Sequence, residues 1–251
     1  MIFRQLFDIQ SCTYTYLLAD KTSREAVIID TVFEQIARDF ALLRELNLTL
    51  LYLDTHCHAD HVTGAWLMQQ KTGCRIAAAH TIGAANIDVE LSHNDVISFG
   101  RHSLEVRATP GHTDGCLTYV TEDHARTFTG DTLLIRGCGR SDFQNGDAAT
   151  LYDSISEQIL SLPDHCLIYP GHDYNGRTVS SVAEEKAFNA RIGGEASIHT
   201  RRPTNRISWA TWMRCNFHTP RISMLPCPPT WSVANLKMVI YLLSPTGHPW
   251  F

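Results

Sequence analysis

Apolar positions along most of the chain recur with two alternating periods. Short runs that alternate with polar residues or are wholly apolar, bounded by Asp, Asn, Gly or Pro, predict strands at 2–7, 13–19, 26–30, 48–54, 75–79, 103–108, 117–121 and 167–169. Between them the spacing becomes helical. Phe33, Ile36, Ala37, Phe40, Leu43 and Leu46 form one stripe. Leu151, Ile155, Ile159 and Leu162 form another behind Asp147, whose carboxylate suits the free N–H groups of a first turn. A third helix is predicted across 179–188. Strands that come first as a meander and then interleave with helices predict an α/β or α+β chain, with sheets face to face and helices outside.

Composition narrows the setting. With 251 residues, 44% hydrophobic and 19% charged, the sequence suits a soluble globular protein, and no apolar run reaches the ~18 residues of a bilayer span. A net charge of −5 argues against nucleic acid as a partner, because phosphate binding needs a positive field. The eight cysteines are scattered without a C-x-x-C pair, which disfavours a disulfide framework or zinc ribbon. The opening MIFRQLFDIQ has neither the apolar centre of a signal peptide nor an Arg/Ser-rich presequence, so a cytoplasmic location is expected.

Every Asp and Glu precedes Ser197, whereas residues 198–251 hold six basic residues, seven of the ten prolines and four of the five tryptophans. The expected division is therefore a domain over 1–197 and an atypical, irregular tail over 198–251, in which only 233–243 is apolar enough for a short helix or strand. Our hypothesis is that the tail has a separate origin, such as a shifted reading frame. Alternative-frame translation of the coding DNA that yields no acidic ending would remove that explanation.

The chemistry gathers at strand ends. Strand 48–54 runs directly into Thr55-His56-Cys57-His58-Ala59-Asp60-His61, a density of ligand-type side chains that packing does not require and metal binding does. Thr109-Pro110-Gly111-His112-Thr113, Phe128-Thr129-Gly130-Asp131 and Tyr169-Pro170-Gly171-His172-Asp173-Tyr174 repeat the order of apolar segment, glycine, ligand type. Glycine there permits a sharp turn or close approach to an ion. Strand ends thus converge on one site built from His56, His58, Asp60, His61, His112, Asp131 and His172, with Thr129 and Asp173 beside them as supports.

In this order the motifs T-H-x-H-x-D-H, G-H-T, G-D and G-H resemble the metallo-β-lactamase superfamily over about residues 1–197. The resemblance implies an αββα sandwich with the metal at the sheet edge. Many members hold two metals, one on His56, His58 and His112, another on Asp60, His61 and His172, with Asp131 bridging. That inventory permits a dinuclear zinc thioester hydrolase of the glyoxalase II type.

The wider text, Ser11-Cys12-Thr13-Tyr14-Thr15-Tyr16, Cys138-Gly139-Arg140-Ser141-Asp142-Phe143-Gln144 and residues 169–175, is similar to the persulfide dioxygenases. This resemblance implies one iron(II) per chain on His56, His112 and Asp131, a 2-His-1-carboxylate facial triad with open positions. It implies oxidation of glutathione persulfide with O2 and water to sulfite and glutathione, a reaction closed to redox-inert zinc. His58, Asp60, His61 and His172 then surround the ligands or serve a second metal.

The same resemblance nominates Arg140, Tyr174 and Arg191 for the glutathione moiety, since a guanidinium clamps a carboxylate bidentately. The plainer reading makes them surface residues in ordinary ion pairs. Cys57 is read as structural, because alternation along the loop turns it from the metal side. Asn189-Ala190-Arg191 stands where the family has proline before arginine, which loosens the placement of Arg191. From another class comes a non-catalytic persulfide sensor, with the tail as docking element. A homodimer is compatible with the sequence.

Overall fold

The computed structural model describes residues 1–192, so the expectation of a tail over 198–251 lies outside the described residues. The first sheet follows sequence order: β1 (Ile2–Asp8), β2 (Thr13–Ala19), β3 (Glu25–Ile29), β4 (Thr49–Leu53), β5 (Arg75–Ala79) and β6 (Val89–Leu91). β1 to β3 pair antiparallel and β3 to β6 pair parallel. Parallel neighbours need crossovers, and two of these carry helices, α1 (Ile36–Glu45) after β3 and α2 (Ala65–Thr72) after β4.

The second half of the domain continues with β7 (Val96–Phe99), β8 (His102–Ala108), β9 (Leu117–Thr121), β10 (Arg126–Gly130), the small hairpin β11 (Leu133–Leu134) and β12 (Gly137–Cys138), then α3 (Ala148–Ser154), β13 (Leu167–Pro170), β14 (Ser180–Ser181) and α4 (Val182–Phe188). Its sheet has the order β14-β13-β10-β9-β8-β7, with β10 and β13 parallel.

Three apolar layers hold these parts together. Tyr16, Leu18, Ile29, Leu53, Leu104, Tyr119 and Phe128 are buried between the sheets. Leu17, Ile28 and Tyr52, on the opposite face of the first sheet, meet Ile36, Leu43 and Met68 of α1 and α2. Val120 and Ile168 meet Leu151, Ile155 and Val182 on the outside of the second sheet. Each sheet is covered on both faces, which is why β3 is buried from Ala26 to Ile29 and reads there as a continuous apolar run. Each such side chain contributes about 1.5–3 kcal/mol on burial. The architecture is the expected αββα sandwich.

Asp147 caps α3 as predicted, accepting from the Thr150 N–H at 2.8 Å. Several elements escape the sequence pattern: α2, the edge strands β6 and β7, and β10. The helix expected across 179–188 begins only at Val182, because Ser180 and Ser181 first pair with β13. Among the described residues no helix is long and apolar enough to cross a membrane. At the rim beyond the C-terminal ends of β3, β4, β8, β10 and β13, the sheets are tied by Leu117 N–H to Thr55 O (2.7 Å) and Tyr14 N–H to Gly171 O (2.8 Å).

Candidate metal centre

His56 follows β4, His112 lies in the loop after β8, and Asp131 follows β10. One ligand atom from each lies within 4.8 Å of the others. Each side chain is fixed at its far end. The Thr55 hydroxyl donates to Asp30 Oδ2 (2.7 Å), so its lone pair faces His56 Nδ1 (2.9 Å), which carries the proton and leaves Nε2 basic. His112 Nδ1 donates to the Arg140 carbonyl at 2.7 Å, leaving its Nε2 basic too. Asp131 Oδ1 accepts from His172 Nδ1 at 2.7 Å, while Oδ2 stands 3.8 Å from His112 Nε2.

Burial, reinforced by the neighbouring His58 charge, holds the His56 pKa well below the usual imidazole value. Burial opposes ionisation of Asp131, but His172 overrides it and holds the carboxyl well below its ordinary range. Two imidazole nitrogens and one carboxylate oxygen thus converge without bonding one another, a donor set that fits a divalent cation. Gly130, with φ of +50°, makes the turn into Asp131 where a β-carbon would come 2.6 Å from the Thr55 hydroxyl.

Behind the triad lies a residue the sequence reading missed. Asp30, 1% exposed, accepts from the Thr55 N–H (2.7 Å) and from His58 Nε2 (3.2 Å). Burial would lower the His58 pKa, yet the Asp30 partner pushes it up to about 9. Next to it burial raises Asp54 to about 7, with the Tyr52 hydroxyl donating at 2.8 Å. His172 bridges Asp131 to Asp60, whose Oδ2 lies 2.8 Å from His172 Nε2 and 3.1 Å from His61 Nδ1. His58, Asp60 and His61 also offer atoms within 4.8 Å of one another. Among the described residues His58 Nδ1 and His61 Nε2 are buried without a hydrogen-bond partner.

The remaining predicted residues shape loops. Thr129 donates to the Leu133 carbonyl (2.7 Å) and so holds the turn bearing Asp131. Asp173 accepts from the N–H groups of Asn175 (2.8 Å) and Arg177 (2.7 Å), shaping the loop that carries Tyr174. The Tyr174 ring, 58% exposed, stacks 6.0 Å from that of His172. Arg140 pairs bidentately with Asp142 (2.7 and 3.0 Å) and lies over Phe143. Burial pushes the Cys138 thiol up to about 11, with the Arg191 charge opposing it, which puts Arg191 near β12. Cys57 is also raised by burial, as suits a structural thiol. The sequence held a signal for Asp30: it closes an apolar strand, as the ligand motifs do.

A converging donor set at the edge of an αββα sandwich defines the class. The chain belongs to the Metallo-beta-lactamase superfamily, whose family model matches residues 13–172, and within it to the persulfide dioxygenases, enzymes of sulfur oxidation. It is 55% identical to the mitochondrial persulfide dioxygenase ETHE1 of Bos taurus over 194 residues, 76% of each chain. The crystal structure of ETHE1 from Myxococcus xanthus aligns with a TM-score of 0.78 at 46% identity, covering 88% of this chain and 93% of that one. A hydroxyacylglutathione hydrolase of Polaromonas shares 37% identity over 166 residues, 64% of this chain and 62% of its own.

Proposed function

We propose that the chain oxidises glutathione persulfide with O2 and water to sulfite and glutathione, using one iron(II) held by His56, His112 and Asp131. The observation that carries this reading is the triad itself: each side chain is locked through its far atom and leaves one donor atom free toward a common point. When bound, a ferrous ion supplies the redox chemistry that joins dioxygen to a persulfide sulfur. The chain's own residues supply orientation. Asp30, through Thr55, sets the His56 ring, and His172 keeps a proton on Nδ1 against Asp131 Oδ1. Arg140, Tyr174 and Arg191 bind the glutathione moiety, with Asp142 giving up the Arg140 guanidinium to a substrate carboxylate. Metal analysis with oxygen uptake tests the proposal: one iron per chain and sulfite-forming oxygen consumption are expected. A zinc-only protein that consumes no oxygen refutes it.

One observation favours a second reading. The partnerless His58 Nδ1 and His61 Nε2 suit two ions, one on His56, His58 and His112 and another on Asp60, His61 and His172, and hence a glyoxalase II type dinuclear zinc hydrolase. Two metals per chain and hydrolysis of S-lactoylglutathione without oxygen would establish it. A cytoplasmic location and a homodimer belong to the proposal and are checked by fractionation and sedimentation.

A further inference from the structure

Two of the three metal-facing residues are held by backbone groups of two adjacent residues in one short segment. The Gly139 N–H donates to the Asp131 carbonyl at 2.8 Å, and the next carbonyl, of Arg140, receives His112 Nδ1–H at 2.7 Å. The approach is so close that a β-carbon on Gly139 would sit 2.2 Å from Asp131 O and 2.8 Å from His112 Nδ1. Residue 139 must therefore be glycine for both ligands to keep their places.

The segment does not hang free. It leaves the hairpin β11–β12, whose turn is bolted to α4. Glu185 accepts from the Arg136 N–H at 2.9 Å and pairs with the Arg136 guanidinium. Asn189, just past α4, donates to Gly137 O at 3.0 Å and to Glu185 Oε2 at 2.7 Å. Glu185 and Asn189 are both fully buried. A buried carboxylate with this many donors fixes its surroundings in one arrangement. The anchored groups, on Arg136 and Gly137, lie three and two residues before Gly139.

We propose that Gly139 and the Arg140 carbonyl form a positioning strap, anchored by Glu185 and Asn189, that sets His112 and Asp131 and joins them to the side chain offered to the thiol carrier. This rests on the ligand and carrier roles proposed above. Arg140 then has two separable duties. Its carbonyl aims the His112 ring, and its guanidinium meets the carrier, so carrier binding is felt at the metal through a single residue.

Cobalt(II) is the probe, titrated into the full-length metal-free protein with a competing chelator while its visible spectrum is recorded. Asn189→Leu and Gly139→Ala are each expected to weaken cobalt about 10–100-fold and to alter the spectrum. Arg140→Ala keeps its carbonyl and should bind cobalt as the wild type does. S-methylglutathione, which carries no reactive sulfur, should shift the wild-type cobalt spectrum and leave that of Arg140→Ala unmoved. If Asn189→Leu fails to fold by circular dichroism, Gly139→Ala decides. Wild-type affinity and spectrum in the folded variants, with cobalt lost in His112→Ala, overturn the strap. A spectral shift in Arg140→Ala equal to wild type overturns the coupling. Wild-type cobalt binding by His112→Ala instead shows that the ligand assignment was wrong, and the strap falls with it.

Discussion

Thr55→Val isolates the alignment of Asp30, Thr55 and His56 with almost no change in shape. The hydroxyl is buried and serves both ways, donating to Asp30 Oδ2 at 2.7 Å and receiving His56 Nδ1–H at 2.9 Å. Its loss removes a hydrogen bond to a charged group, about 1.5–3 kcal/mol, and strands a buried imidazole N–H, about 1–3 kcal/mol. The two share one oxygen and do not add fully, so the metal-free protein should lose about 2–4 kcal/mol. In a domain of this size that lowers the melting temperature by roughly 5–15 °C. Separately, a ring no longer held at Nδ1 should bind metal about 10–100-fold more weakly. Thermal melting of the metal-free protein reads the first effect and chelator competition the second. Thr55→Ser, which keeps the hydroxyl, should restore most of both. If Thr55→Val melts and binds like wild type, the alignment does not hold His56.

Three further outcomes are expected. Gly171→Ala would place a β-carbon 2.8 Å from Asp131 Oδ1; displacing that oxygen from His172 should weaken metal binding about 10–100-fold, measured by chelator competition. Asp20 is held below the usual carboxylate range chiefly by the Arg101 guanidinium, then by the backbone N–H groups of Thr22 and Arg101. Its folded pKa lies below its unfolded value near ~3.9, so its stabilisation is complete above that pH and fades as the pH falls through the folded value. Asp20→Asn should therefore melt below wild type at neutral pH and converge with it in acid. Burial pushes the thiols of Cys116 and Cys138 up to about 11, so neither should react with a thiol reagent at pH 8 until the protein is denatured; rapid native labelling of either, read by mass spectrometry, would contradict this.

Inner strands such as β3 were legible because burial on both faces leaves an unbroken apolar run, there Ala26 to Ile29. β6 and β7 were not, since edge strands keep polar and exposed positions such as Glu90 and Val96. α2 escaped because its apolar residues share no single stripe, and only Gly73 in the left-handed region marks its end. At the metal centre the ligand types announced themselves by density, and His56, His112 and Asp131 do converge. Their supports lack that density, although Asp30 does close an apolar strand. Asp30 is a lone carboxylate far from the motif in sequence, and the Arg140 contribution to His112 is a backbone carbonyl, which no side-chain pattern can reveal.

His56 hangs from the first sheet, whereas His112 and Asp131 hang from the second. A bound ion therefore works as a rivet through both layers. Neither half of the domain can capture it alone, so uptake waits until the layers have docked, and binding energy becomes folding energy. A cell short of the metal would then lose protein by proteolysis at a loosened rim as well as turnover.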